Sequence, residues 1–230
     1  MESRIKAAQN LSNRVRRNKK DWPVPVGYMG GGVHGRVFVT NNGRLMKIQK
    51  LNATKEFNIL KRLRPTGIAP KVRNGNIVKL KIKSNNTNIT RELGYGSKII
   101  NSLNMFIMNR VGSMTLKQYY KTFTPSNKYV HNYLSWLVHQ LQMAGIEHGN
   151  LHRENIIVSV DSKGKITGMW LIDFGKSKYH SLVPSRNIES YMKTYKYPNM
   201  IKKVLTRNKT PSPLRRTKSV SSKRNKEIRQ

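Results

Sequence analysis

The eight residues His148-Gly-Asn-Leu-His-Arg-Glu-Asn155 constrain this chain more than any other stretch. They follow a segment of helical periodicity and stand directly before an apolar run, Ile156–Val160. A second apolar run, residues 169–172, leads straight into Asp173-Phe174-Gly175. Short apolar runs bounded by polar and turn residues read as buried strands. The pattern presents Asn155 and Asp173, an amide and a carboxylate, from neighbouring strand ends.

The preceding segment, residues 127–145, repeats Val130, Tyr133, Leu134, Leu137, Val138 and Leu141 at spacings of three and four. That spacing predicts one amphipathic helix, ending at Gly145. His131 and His139 lie on it without metal-ligand partners at useful spacing, and read as solvated or core histidines.

Nearer the N-terminus, Gly30-Gly31-Gly32-Val33-His34-Gly35-Arg36-Val37 matches Gly-x-Gly-x-x-Gly-x-Val. Glycines let a backbone turn approach phosphates where a side chain would collide. Val37-Phe38-Val39 reads as a strand, Asn41-Asn42-Gly43 as a turn and residues 45–48 as a second strand. A dinucleotide-binding glycine loop would instead open a helix. Lys47 falls on the second strand, with Lys50 as the alternative in a slipped register. Residues 54–63, apolar at Phe57, Ile59, Leu60 and Leu63, predict a helix that carries Glu56.

Further along, residues 69–72, 77–82 and 105–108 read as strands and residues 84–88 as a turn-rich loop. A short helix is expected at residues 115–119, and another over 191–205, interrupted by Pro198.

Forty-five Lys and Arg face ten Asp and Glu in 230 residues, a net charge of +35. Such a balance points to a polyanion partner, nucleic acid among the candidates, or to lysine-rich codon usage. The absence of cysteine excludes disulfides and thiolate metal sites. No apolar run reaches the roughly 18 residues of a membrane span, and the N-terminus lacks a secretory apolar core, so an intracellular location is expected. Residues 1–20 read as a basic arm or a short docking helix. From Arg207 onward the chain is too poor in apolar residues to fold alone.

Glycine loop, strand lysine, helix glutamate, His-x-(Asp/Asn)-x-x-x-x-Asn and Asp-Phe-Gly occur in that order over residues 30–175. The set resembles the protein-kinase-like superfamily. The His-Gly-x-Leu-His form and the short remainder after Asp173-Phe174-Gly175 are similar to small atypical kinases. These include the kinase of the tRNA-modifying KEOPS complex, aminoglycoside phosphotransferases and reduced kinases of large DNA viruses. The resemblance implies a bilobal α+β fold: a basic arm (1–22), a small β-rich N-lobe (23–108), a truncated, mainly helical C-lobe (109–206) and a disordered basic tail (207–230).

It also implies an ATP- and Mg2+-dependent phosphotransferase acting on Ser/Thr of a protein substrate. Gly30, Gly32 and Gly35 would cover the phosphates, with Val37 and Met108 at the nucleotide. Lys47 would contact the phosphates, held by Glu56, and Asn155 and Asp173 would bind magnesium. His148 would brace the catalytic loop, and His152 stands where protein kinases usually carry a lysine near the transferring phosphate. One position departs. Asn150 occupies the place of the Asp that accepts the substrate hydroxyl's proton, and an amide takes no proton at neutral pH. Two readings stay open: a slow kinase, or a pseudokinase that binds nucleotide and docks a polyanion through its basic arms. No Ala-Pro-Glu motif follows Asp173-Phe174-Gly175, which leaves ordinary peptide recognition without its usual elements.

Overall fold

Alternation along the N-terminal strands splits their side chains between two cores. The computed structural model describes residues 1–32, 35–50, 53–82, 87–95, 100–123, 127–180, and Ile201, Val204 and Leu205. Helix α1 (Glu2–Arg16) precedes strands β1 (Pro25–Gly31), β2 (Gly35–Thr40) and β3 (Leu45–Gln49). Then come α2 (Ala53–Leu63), β4 (Val72–Lys81), α3 (Thr87–Glu92) and β5 (Ser102–Met108). The five strands form one antiparallel sheet in the order β1-β2-β3-β5-β4. Phe38, Met46, Ile48, Met105 and Ile107 point to the outer face, under α1. Val37, Val39, Leu45, Phe106 and Met108 point to the inner face, toward α2. The two-residue period of a strand makes this division automatic.

Of the two sequence readings of residues 1–20, the docking helix is the one found. Ala7, Ala8, Leu11 and Val15 recur at helical spacing and are all buried. Glu2 in its first turn and Arg14 and Arg16 in its last complement the helix dipole. Trp22, just beyond, is buried too, so this segment is part of the N-terminal lobe rather than a separate arm. The strand read at residues 69–72 is not found as such: only Val72 of it is in a strand, where it opens β4. That strand runs on through most of the second one read at 77–82, with an irregular register between Val72 and Ile77 where Gly75 takes a positive φ.

Strand β6 (Met114–Thr115) leads into α4 (Leu116–Thr122), whose start is set by a capping box between Thr115 and Gln118. Helix α5 (Asn127–Met143) buries Val130, Leu134, Leu137, Val138 and Leu141, and Gly145 follows with φ 65°. After it come β7 (Ile146–Glu147), β8 (Ile156–Val160), β9 (Ile166–Leu171) and β10 (Lys178–Tyr179). Strands β6, β8 and β9 form a small sheet and β7 pairs with β10. One apolar core runs from the inner face of the large sheet through α2 into α5 and β8–β9. The architecture is α+β: a β-rich N-terminal lobe, then a lobe built around α5. Among the described residues no helix is long and apolar enough to cross a membrane.

Ile201 and Val204 complete this core, and Arg153 donates from Nε to the Val204 carbonyl and from Nη2 to that of Leu205. The rest of the helix read over 191–205, and the basic tail, lie outside the described residues. Two buried aliphatic side chains are worth about 3–6 kcal/mol together. A chain ending at residue 200 is therefore expected to melt well below one ending at residue 205. Equal melting temperatures for the two would remove Ile201 and Val204 from the core.

Candidate active site

Strand register places the lysine. Lys47 stands opposite Val37 on one side and Phe106 on the other, on the inner face of the sheet. Its Nζ lies 2.8 and 2.9 Å from the two carboxylate oxygens of Glu56, which α2 presents from its first turn. The same Nζ lies 3.0 Å from Asp173 Oδ1. Burial works against the ammonium, but Glu56 and Asp173 outweigh it and hold the Lys47 pKa above its ordinary 10.5. Lys50, the alternative in a slipped register, points elsewhere: its Nζ is 3.2 Å from the Tyr95 carbonyl.

The glycine turn runs from the end of β1 to the start of β2. A Cβ on Gly35 would sit 3.1 Å from the Ile48 carbonyl and 3.2 Å from Lys47 Cε, so any larger residue there would press on the lysine's stem. Gly32 N–H donates to the Gly35 carbonyl at 3.0 Å, and Gly30 takes φ 150°. Val37 is half-buried on β2. Met108 closes β5, opposite Leu45 and Val72.

The β8–β9 pairing brings the two strand-end residues together. Ile156 stands opposite Leu171, and Ile172 N–H donates to the Asn155 carbonyl at 3.0 Å. Asn155 and Asp173 therefore flank one backbone contact. Asp173 has φ 62° and ψ 64°, the lone positive φ outside glycine among the described residues. Aspartate tolerates this left-handed conformation better than most residues, yet it costs on the order of 1–3 kcal/mol. The strained residue is the same one that meets Lys47.

Between these ends the His148–Asn155 loop is tied down at several of its residues. His148 Nε2 donates to the Ile172 carbonyl at 2.9 Å, and its ring packs on Phe174 with centroids 4.8 Å apart. Ser177 Oγ donates back to the His148 carbonyl at 2.9 Å. Gly149 takes φ 72°, and a Cβ there would lie 2.5 Å from the Lys176 carbonyl. The loop and the segment after Asp173 thus cross in contact.

Asn155 Nδ2 donates to the Asn150 carbonyl at 2.9 Å and to His152 Nε2 at 3.0 Å. Asn150 Nδ2 reaches the same imidazole nitrogen at 3.3 Å. His152 Nδ1 in turn accepts from the Glu154 N–H at 3.3 Å, so the imidazole ties both asparagine side chains to the loop backbone. His152 thus touches Asn150. Glu154 instead pairs with Lys117 at 2.6 Å, in solvent.

Burial drives the His148 pKa down, to about 4 from 6.5. A histidine neutral in the fold and protonated in the unfolded chain contributes stability that is fully present above pH 6.5. That stability is lost as the pH falls toward 4, up to roughly 3 kcal/mol. His148→Asn is expected to flatten this part of the stability–pH curve. An unchanged slope between pH 6.5 and 4 would show that His148 is not the group responsible.

Magnesium is the metal these residues fit. Asn155 offers an amide oxygen whose partner nitrogen is already engaged, and the Asp173 side chain keeps 39% of its exposure despite the contact with Lys47. Two hard oxygen donors are what a magnesium site takes from a protein when phosphates and water supply the rest. A protein-bound cage is not present: no group of three or more His, Cys, Asp or Glu gathers among the described residues.

Sequence reading missed two anchors of this site. Ser177 and Arg153 act through backbone carbonyls of distant segments, and a serine or arginine carries no pattern that announces such a bond.

A sheet lobe carrying a lysine–glutamate pair, over a loop and strand end that carry Asn155 and Asp173, is the architecture of the protein-kinase-like superfamily. Within it, the chain belongs to the lipopolysaccharide kinase (Kdo/WaaP) family, whose model matches residues 26–210. Among solved structures it is similar to the Rio2 kinase of Chaetomium thermophilum, determined as an ADP/Mg2+-phosphoaspartate complex. The TM-score is 0.55 at 18% identity, over 90% of this chain and 63% of that one. It is also similar to the kinase PK-1 of Cydia pomonella granulovirus, with a TM-score of 0.48 and 16% identity, over 74% of this chain and 57% of that one. At 18% identity the likeness to the Rio2 kinase is one of fold. No sequence match to a curated protein was found.

Proposed function

We propose that this protein transfers phosphate from ATP, with magnesium, to a hydroxyl group, and that Asn150 makes it slow. The observation that carries the reading is the convergence of Glu56 and Asp173 on the Lys47 ammonium, with Asn155 bonded to the residue before Asp173. Glu56 orients the Lys47 ammonium toward the phosphates, and Gly30, Gly32 and Gly35 keep side chains out of their way. Asn155 and Asp173 hold magnesium, which neutralises charge on the transferring group when bound. Val37 and Met108 line the nucleotide site, and His148 keeps the loop in place.

The acceptor oxygen bonds to the γ-phosphorus as the bond to the β-phosphate oxygen breaks, and its proton leaves to solvent or phosphate. Asn150 orients the hydroxyl through its amide oxygen but does not take the proton. Phosphoryl transfer passes through a loose transition state governed by position and electrostatics, so this loss slows the reaction without abolishing it. His152, by engaging the Asn150 amide nitrogen, fixes which end of that amide meets the acceptor. The kinase resemblance supports Ser or Thr of a protein as acceptor, and the family's name supports a sugar hydroxyl. Labelled ATP offered with a basic protein mixture and, separately, with a lipopolysaccharide core tests both. Magnesium-dependent ATP binding without transfer to either would point to the second reading, which Asn150 favours: a pseudokinase. In that reading the charge docks a polyanion such as nucleic acid, and binding weakens steeply with salt.

A further inference from the structure

The residue directly after the last glycine of the turn, Arg36, belongs to no part of the machinery described above. It stands on β2 with its side chain on the outer face, opposite Ile48 in the ladder. Among the described residues it has no carboxylate partner. Its guanidinium is instead committed to backbone carbonyls of two segments. Nε donates to Leu93 at 2.8 Å and Nη2 to Gly94 at 2.5 Å, just after α3. Nη1 donates to Gly35 at 3.1 Å and to Gly32. One rigid fork thus joins both ends of the glycine turn to the Leu93–Gly94 backbone.

The surroundings are shaped to admit it. A Cβ on Gly31 would lie 2.5 Å from Arg36 Cδ, so glycine there leaves the arginine its path. Gly94 holds φ 76°, and a Cβ on it would lie 3.4 Å from Arg36 Nη2. The guanidinium also packs over the Tyr95 ring, 4.8 Å from its centroid. That ring is fixed in turn, because Tyr95 OH donates to the Ile48 carbonyl at 2.6 Å, one residue from Lys47. Charged donors on carbonyls are stronger than neutral ones. A glycine-rich turn needs such restraint, since glycine loses the most conformational freedom on ordering.

We infer that Arg36 is a positioning residue for the nucleotide's phosphates: by clamping the glycine turn to the Leu93–Tyr95 segment it presets the backbone that meets them. The inference rests on the phosphotransferase reading. It assigns the outer-face cover of the sheet, α3 and Tyr95, a part in nucleotide affinity although neither touches the inner-face site.

The test compares affinity for magnesium-ATP with affinity for adenosine, which has no phosphates, by calorimetry. Wild type, Arg36→Lys, Arg36→Met and, as a control on an exposed cation, Arg73→Met are measured beside their melting temperatures. Lysine keeps the charge and loses the planar fork. ATP affinity is expected to fall about tenfold in Arg36→Lys and further in Arg36→Met. Adenosine affinity should stay where it was, and Arg73→Met should leave both alone. Were Arg36→Met not to fold, Arg36→Lys would carry the comparison. Unchanged ATP affinity in a folded Arg36 variant, or equal losses for ATP and adenosine, would overturn the role of Arg36. Failure of the wild type to bind magnesium-ATP at all would instead sink the phosphotransferase reading, and the Arg36 role with it.

Discussion

Lys47→Met lowers the free energy of unfolding by about 3–5 kcal/mol, and adding Glu56→Leu restores most of it. Glu56 is 2% exposed and Lys47 7%. Removing the ammonium leaves a buried carboxylate without its partner, which is the costly case for a buried ion pair. Replacing both by apolar side chains removes the desolvation cost of each and fills the space. Asp173 matters less to this balance, because solvent reaches its side chain and screens it. Phosphate transfer behaves differently. It falls by roughly two to three powers of ten in the single variant and stays down in the double one, because fixed positive charge at the phosphates acts in the transition state. The raised Lys47 pKa sets the pH window: its stabilising contribution is fully present below the ordinary value of 10.5 and is lost as the pH rises through the higher folded value. Denaturant unfolding of the three proteins, with transfer assays on each, checks this. A double variant no more stable than Lys47→Met would contradict the ion-pair account.

That pair was legible through its resemblance to the protein-kinase-like motif order, and two periods that meet on it explain why it forms. Strand alternation puts Lys47 on the inner face, and the helical spacing of Phe57, Leu60 and Leu63 turns Glu56 toward the same side. Asn155 and Asp173 were legible for a similar reason, each standing next to an apolar run whose strand character is plain. The docking of α1 was less so. Its apolar stripe of Ala7, Ala8, Leu11 and Val15 is narrow, and seven basic residues in the first twenty mask it. Arg153, Ser177 and Arg36 were illegible. Each bonds to carbonyls, and a carbonyl is the same at every position in the chain, so only the fold reveals which one is reached. The irregular β4 was hidden by Gly75, which reads as a break between strands but here relaxes the register within one.

Asn150→Asp is expected to raise the rate of phosphate transfer by roughly one to four powers of ten, the usual worth of a positioned general base. The substitution keeps size and shape, and the loop around it is held by bonds that do not involve the exchanged atom. Asn155 Nδ2 still reaches the backbone carbonyl of residue 150, and Ser177 still holds that of His148. What changes is the contact with His152. The amide nitrogen now 3.3 Å from Nε2 becomes a carboxylate oxygen, which can accept from that nitrogen while the Glu154 N–H stays on Nδ1. The new anion near the phosphates is opposed by Lys47 and by magnesium, so nucleotide affinity falls only slightly. Initial rates with labelled ATP, at saturating acceptor, distinguish three cases. A clear gain identifies a kinase slowed by a single substitution. Wild-type transfer with no gain shows that another group, or positioning alone, carries the reaction. Absence of transfer in both proteins, with magnesium-ATP binding intact, leaves the pseudokinase reading standing, with the nucleotide site kept for binding.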